Sequence, residues 1–371
     1  MAEATYNREG FPPDDRLDWA TLVPLIGTVT AALVRYDTRL QAIPNPDIFL
    51  APLSTREAVL SSRIEGTQAT LDEVLEFEAD ERSAPAERRD DILEVLNYRR
   101  AMWTAERLLE ELPLSLRVLR EAHRVLLSGV RGRNRAPGEF RAVQNWIGPP
   151  GVGLEAARYV PPPPDVVPEA MSRWERYIHA EAPDRLVQLA VLHAEFEAIH
   201  PFLDGNGRLG RLFVPLFLWQ KGLIHQPRFY LSAYLEAHRE AYYEGLLAVS
   251  RDDDWTGWCL FFLEAIRAQA EENTRRLEAI LALYEEMKER VPRLTRSRYA
   301  IQAIDWLFRR PVFTTSTYLG EAGIPEPAAR RILRELRKEG IVREIRAASG
   351  RRPALFAFSR LLRIAEGGDS A

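Results

Sequence analysis

At 371 residues and 46% hydrophobic content, the chain is long enough to fill two or three cores, because single cores stop growing near ~250 residues. Its one cysteine, Cys259, lies in the apolar run Trp258-Cys259-Leu260-Phe261-Phe262, which excludes an intrachain disulfide and reads as a buried spectator. The net charge of -4 hides a split, since residues 291–365 carry 16 Arg or Lys against 6 Asp or Glu, leaving about -14 for the remainder.

The N-terminus has no basic stretch leading into an apolar one, and no uninterrupted apolar run approaches the ~20 residues that span a bilayer. The expectation is a cytoplasmic protein with no membrane partner. Apolar residues recur at three- and four-residue spacing in 22–40, 92–109, 116–127, 186–196 and 255–283, so the body is expected to be mainly α. Ser54-Thr55-Arg56-Glu57 has the form of a capping box, which predicts a helix beginning at Ser54 and ended by Gly66. Two extended runs, 138–148 and 157–161, joined by Pro and Gly, predict a β-hairpin on the helical body. The four prolines 161–164 form a stiff lead into the next helix.

The helix after Pro183 runs into His200-Pro201-Phe202-Leu203-Asp204-Gly205-Asn206-Gly207-Arg208-Leu209-Gly210-Arg211. Pro201 disfavours helical geometry at His200 and so places the imidazole at a helix end. Phe202, the aromatic residue of the segment, reads as the loop's anchor in the core. Gly205, Asn206 and Gly207 free the backbone to present amides at the start of the next helix, where the dipole favours phosphate. Arg208 and Arg211, three apart, share a helix face that can meet a polyphosphate. Asp204 offers an oxygen ligand for Mg²⁺, and His200 a base titrating near neutrality.

From 295 onward the reading is a helix over 297–308, the segment 315–323, a helix from Pro325 to Lys338 stopped by Gly340, and two β segments, 341–345 and 354–358. Helix, helix, turn, helix and hairpin resemble a winged helix-turn-helix domain. Arg330, Arg331, Arg334, Arg337 and Lys338 lie on the recognition-like helix, and Arg351-Arg352 tip the wing.

The 200–211 segment matches the Fic family pattern His-x-Phe-x-Asp/Glu-Gly-Asn-Gly-Arg-x-x-Arg at all eight specified positions, and the chain resembles that family. The resemblance implies a Fic-type helical bundle with a β-hairpin flap, followed by a C-terminal winged helix-turn-helix domain. It further implies a protein adenylyltransferase that uses ATP and Mg²⁺ to place AMP on a Ser, Thr or Tyr hydroxyl of a target protein. His200 would be the base and Asp204 would hold Mg²⁺. Gly205, Asn206, Gly207, Arg208, Gly210 and Arg211 would hold the nucleotide phosphates. The flap would align the target segment by strand pairing. Arg239-Glu240-Ala241-Tyr242-Tyr243 resembles the segment beside the adenine pocket, with Tyr243 as the stacking residue.

Ser61-Ser62-Arg63-Ile64-Glu65-Gly66 resembles the family's inhibitory motif, Ser/Thr-x-x-x-Glu-Gly/Asn. By that resemblance Glu65 pairs with Arg211 and obstructs the γ-phosphate, or positions water to remove AMP. The corresponding domain plan is an N-terminal helical region over 1–110 with the inhibitory helix at about 54–66, a catalytic domain over 111–290 and a winged helix over 291–371. Self-modification and a homodimer are further expectations that neither periodicity nor charge derives. The rival reading is a DNA-binding regulator with the Fic body as nucleotide sensor, carried by Arg330, Arg334, Arg337 and Arg351. A calcium loop from Asp204 is disfavoured because Arg208 and Pro215 stand at ligand positions. His193, Glu197 and His200 lack the partners of a zinc site, and there is no Walker-type phosphate loop.

Overall fold

The computed structural model describes residues 3–43, 45–148, 153–350 and 352–368. It is 66% helix and 5% strand, the mainly α class expected.

In chain order, β1 (Ala4–Thr5) precedes α1 (Trp19–Gln41), α2 (Pro46–Ile64), α3 (Leu71–Ala79), α4 (Ala86–Leu109) and α5 (Leu116–Leu126). α2 begins eight residues before the predicted Ser54. Pro46 is pre-set for a first helical turn, Asp47 complements the dipole there, and Ser54-x-x-Glu57 lies inside the helix. Its end is as predicted, with Gly66 at φ +98°. A formed capping box occurs instead at Thr70, which accepts from Glu73 N while Glu73 bonds back to Thr70 N. One 18-residue window of α1 averages a mean hydropathy of 1.3, long and apolar enough to cross a membrane, while Leu22, Val29, Leu33 and Tyr36 are buried in the fold.

β2 (Tyr159–Val160) leads to α6 (Val167–His179), α7 (Arg185–Ile199), α8 (Asn206–Gln220), α9 (Ser232–Ala237), α10 (Arg239–Asp252) and α11 (Trp255–Thr295). Among the described residues, the predicted hairpin is reduced to a single antiparallel bridge between Ile147 and Tyr159. The second arm takes a different partner, β1, in parallel register. α12 (Ala300–Arg309), β3 (Val312–Thr314), α13 (Thr315–Glu321), α14 (Glu326–Lys338), β4 (Arg343–Arg346), β5 (Leu355–Ala357) and α15 (Ser359–Glu366) complete the chain.

Two compact units emerge, each built from non-consecutive stretches. One comprises residues 1–37, 60–66 and 97–271. Its centre is α7, buried on every side, as expected of a core helix. Asp184 Oδ1 caps its start by accepting from Leu186 N and Val187 N. Trp174 Nε1 and Trp258 Nε1 donate to carbonyls of the same helix, Leu192 and Ala190, so both indoles are buried with their polar edges satisfied. α8 packs along α7 and stays continuous through Pro215.

The other unit comprises residues 38–59, 67–96 and 272–371. A three-stranded antiparallel sheet in the order β3-β5-β4 packs beside an aromatic cluster of Trp306, Phe313, Tyr318 and Phe356. α14 buries Ala329, Ile332, Leu333 and Leu336 and turns its basic face outward. Much of that charge is matched locally: Arg330 pairs with Glu326, Arg334 with Glu335 and Arg337 with Glu344. Arg351 lies outside the described residues.

Candidate active site

The motif loop is held by residues that lie far from it in sequence. His200 leaves α7 in the left-handed region, φ 47° and ψ 59°, a conformation that costs a non-glycine residue energy and needs support from its surroundings. Arg141 gives that support. Its Nε donates to His200 O at 3.0 Å, its Nη2 to Pro162 O, and its backbone N to Pro201 O. Asn145 Nδ2 donates to Phe202 O at 3.2 Å. The expected flap is therefore tied at its base to the loop carrying the base.

Phe202 is buried as expected and stacks on His123 at 3.8 Å between ring centroids. Gly138 N donates to His123 Nδ1, which fixes Nε2 as the protonated nitrogen donating to Asp204 O at 2.9 Å. Burial pushes the His123 pKa down to about 4, so the ring stays neutral in this role. Asn206 Oδ1 accepts from Phe202 N and its Nδ2 donates to Phe202 O, both at 2.8 Å. The side chain closes the loop on itself, leaving the backbone of Asn206 for an anion. Gly205, at φ +79°, turns the chain into α8 and aims the first-turn amides outward.

His200 Nδ1 faces Glu197 O at 3.3 Å, which directs its proton there and leaves Nε2 as an acceptor. Burial lowers its pKa to about 4, against the raising effect of Glu65, so the acceptor is present at neutral pH. Arg208 is buried and donates to Asp204 Oδ1 at 3.1 Å, while Asp204 stays 39% exposed. Arg211 is 1% exposed. Its Nε donates to Ser61 Oγ at 2.9 Å, and its Nη2 donates to Ser61 O at 2.8 Å and to Glu65 Oε1 at 2.7 Å. Burial would raise the Glu65 pKa, but the charge and hydrogen bond of Arg211 outweigh it and hold the carboxyl below its ordinary value. The pairing expected between Glu65 and Arg211 is present, and Ser61 joins it.

Tyr243 donates to Ile64 O at 3.3 Å and lies under Arg239. Tyr242 is buried against His193, whose Nδ1 donates to Gly210 O while Nε2 accepts from the Tyr242 hydroxyl. His193 is thus a packing residue. Glu65, Glu197, His200, Gly207, Arg211, Tyr242 and Tyr243 line one cavity of about 540 Å³, a size suited to a nucleotide-like ligand. Sequence reading missed His123, Arg141, Asn145 and Glu197 as site residues. His123 and Glu197 have no local signature, and only the polar cluster Arg141, Gln144 and Asn145 inside an otherwise extended run hinted at an internal anchor.

A family model described as Fic/DOC family N-terminal matches residues 23–107, and one described as Fic/DOC family matches residues 113–218. An Aquifex aeolicus relative is 37% identical over 94 residues, covering 25% of this chain and 29% of that protein. The protein adenylyltransferase Fic of Drosophila grimshawi is 29% identical over 163 residues, covering 43% of this chain and 32% of that protein. The chain thus spans about a third of the length of the curated relatives it matches. In fold it is similar to the crystal structure of a Fic family protein from Desulfovibrio desulfuricans G20, with a TM-score of 0.58 and 22% identity over 91% of this chain and 95% of that one. His200, Gly207 and Arg211 of the motif line one cavity, and the two family models follow one another along the helical body. On those grounds the chain belongs to the Fic/DOC family.

Proposed function

We propose that this protein is an adenylyltransferase that moves AMP from ATP to a hydroxyl side chain of a target protein, itself included, and that Glu65 restrains it. What supports the reading is the Glu65–Arg211 contact at 2.7 Å, a carboxylate seated where an anionic ligand oxygen would meet the same guanidinium. The curated relatives carry the same activity in their names.

In the proposed reaction the acceptor hydroxyl oxygen attacks the α-phosphorus of ATP, and its proton passes to His200 Nε2. The new oxygen–phosphorus bond forms as the α–β bridging bond breaks and pyrophosphate leaves. The α8 amides and Arg208 and Arg211 neutralise the phosphate chain without covalent participation. Asp204, a single carboxylate that stays 39% exposed beside Arg208, fits the donor set of Mg²⁺, which takes one or two carboxylates and completes its shell with water and substrate phosphates. Such an ion would neutralise charge on those phosphates.

Intact-mass analysis of wild type, Glu65→Gly and His200→Ala after incubation with ATP, Mg²⁺ and a protein extract tests the reading. The expected result is gain of one AMP unit on this chain or on an extract protein with Glu65→Gly, and none with His200→Ala. AMP transfer by His200→Ala at the Glu65→Gly level would overturn His200 as base. Loss of AMP from a pre-modified target on adding wild type, with no transfer by any variant, would replace addition with removal.

A further inference from the structure

Two glycines one turn apart on α8 each leave room for a carboxyl. A Cβ on Gly207 would stand 2.2 Å from Glu65 Oε1, and a Cβ on Gly210 would stand 2.4 Å from Glu197 Oε1. A glycine inside a helix costs roughly 1 kcal/mol against alanine, so a second carboxyl occupies space kept open beside the same helix face. Position 210 is one the family pattern leaves unspecified, and Glu197 accounts for the glycine there.

Glu197 is 8% exposed, lies three residues before His200 and lines the same cavity. Its Oε1 has no hydrogen-bond partner, and neither does Nη1 of Arg211. A buried polar atom without a partner costs about 1–3 kcal/mol, and two of them on one cavity wall point to a ligand that satisfies both. Arg211 Nη1 needs an acceptor. An acceptor oxygen placed there meets Glu197 favourably only if the carboxyl carries a proton to donate, since an ionised carboxylate would repel it.

We propose that Glu197 is a further nucleotide-contacting residue, its buried carboxyl donating a hydrogen bond to a phosphate oxygen beside Arg211, an assignment that rests on the ATP reading above. Burial supplies the required protonation state: it raises the Glu197 pKa to about 8, Arg211 lowers it and Glu65 raises it. The other groups facing this wall titrate elsewhere. His193 and His200 are held near 3 and 4, Arg211, Tyr242 and Tyr243 are all raised, and Glu65 is lowered. Below the Glu197 transition the acid donates. As pH rises through it, the donor is lost and a negative charge appears beside the phosphates.

The test is calorimetric titration of ATP and of adenosine into Glu65→Gly, Glu65→Gly/Glu197→Gln and Glu65→Gly/Glu197→Ala, each at pH 7.0 and 9.5. At pH 7.0 the alanine variant should bind ATP about tenfold more weakly than Glu65→Gly, while glutamine, which keeps a donor, should stay within about threefold. At pH 9.5 Glu65→Gly should fall toward the alanine variant and the glutamine variant should not. Adenosine, lacking phosphates, should bind all three alike. Equal ATP binding by Glu65→Gly and its alanine variant overturns the assignment, as does a glutamine variant as weak as alanine. Adenosine affinity lost in parallel with ATP also overturns it, by making Glu197 a packing residue. If Glu65→Gly itself binds no ATP, the nucleotide reading fails and the assignment with it.

Discussion

Gly207 and Glu65 claim the same space: a Cβ on residue 207 would stand 2.2 Å from Glu65 Oε1 and 3.0 Å from Arg211 Nη1. The Glu65 carboxylate is thus seated by the absence of a side chain as much as by the guanidinium that receives it. Glu65→Gly should raise the rate of AMP transfer by roughly 10- to 100-fold, because it removes a charge-assisted hydrogen bond of about 1.5–3 kcal/mol. Ser61→Ala, which removes one acceptor from Arg211 Nε and leaves Glu65 in place, should raise it by no more than about fivefold. Initial rates of AMP incorporation at one fixed ATP concentration decide this, and a Ser61→Ala rate equal to that of Glu65→Gly would locate the restraint in the helix rather than in the carboxylate.

Arg211→Lys should not behave as an activated variant even though it also breaks the Glu65 pairing. Lysine cannot reproduce donation from Nε to Ser61 and from Nη2 to Ser61 O and Glu65. The phosphate chain loses the same planar fork. The expected outcome is an ATP affinity at least tenfold below that of Glu65→Gly, read by titration, and an affinity equal to it would mean that Arg211 serves inhibition alone.

The role proposed for the 200–211 loop was legible because its residue types are consecutive and each has one evident use. What holds the loop was not. His123 sits on α5 and reads as one more residue of an amphipathic face until its stack on Phe202 brings it under Asp204 O. Arg141 looks like an exposed charge on an extended run, yet it is buried and serves four carbonyls. The helix carrying Ser61 was placed correctly at its C-terminal end, where Gly66 decides, and misplaced at its start, where Ser54-x-x-Glu57 imitates a capping box inside a helix already under way. Thr70-x-x-Glu73, the same pattern, is a formed cap. The four-residue signal cannot distinguish the two, because what differs is whether the preceding residues are already helical.

Stability should peak near pH 6.5 for a reason carried by five buried groups. His123, His193 and His200 are lowered to about 4, 3 and 4, so between their folded values and 6.5 the unfolded chain binds more protons and stability rises with pH. Glu195 and Glu197 are raised to about 8. Between 4.5 and 8 the folded chain therefore binds more protons through them, and stability falls as pH rises. Below 6.5 the three histidines outweigh the two glutamates, and above it the glutamates act alone. Thermal melting from pH 4.5 to 8.5 should show this maximum, and Glu195→Gln should flatten its alkaline side. A melting temperature that climbs steadily to pH 8.5 would contradict it.

Arg141→Ala separates positioning from nucleotide binding. The residue is absent from the cavity wall that carries Arg211, Tyr243 and Glu65. It acts through backbone carbonyls, holding His200 O, Ile199 O and Pro162 O from a buried guanidinium. Without it the left-handed turn at His200 loses the donors that stabilise it, and the imidazole relaxes away from the line of attack, where a displacement near 1 Å costs on the order of 100-fold in rate. In a Glu65→Gly background, kcat should fall by that order while the KM for ATP stays within about threefold. The pH dependence should be preserved, with the rate flat from pH 7 down to 5.5, because the His200 pKa near 4 reflects burial and the acid limb would appear only as pH falls toward it. A KM for ATP that rises as steeply as kcat falls would show that Arg141 shapes the nucleotide cavity and does not merely aim the base.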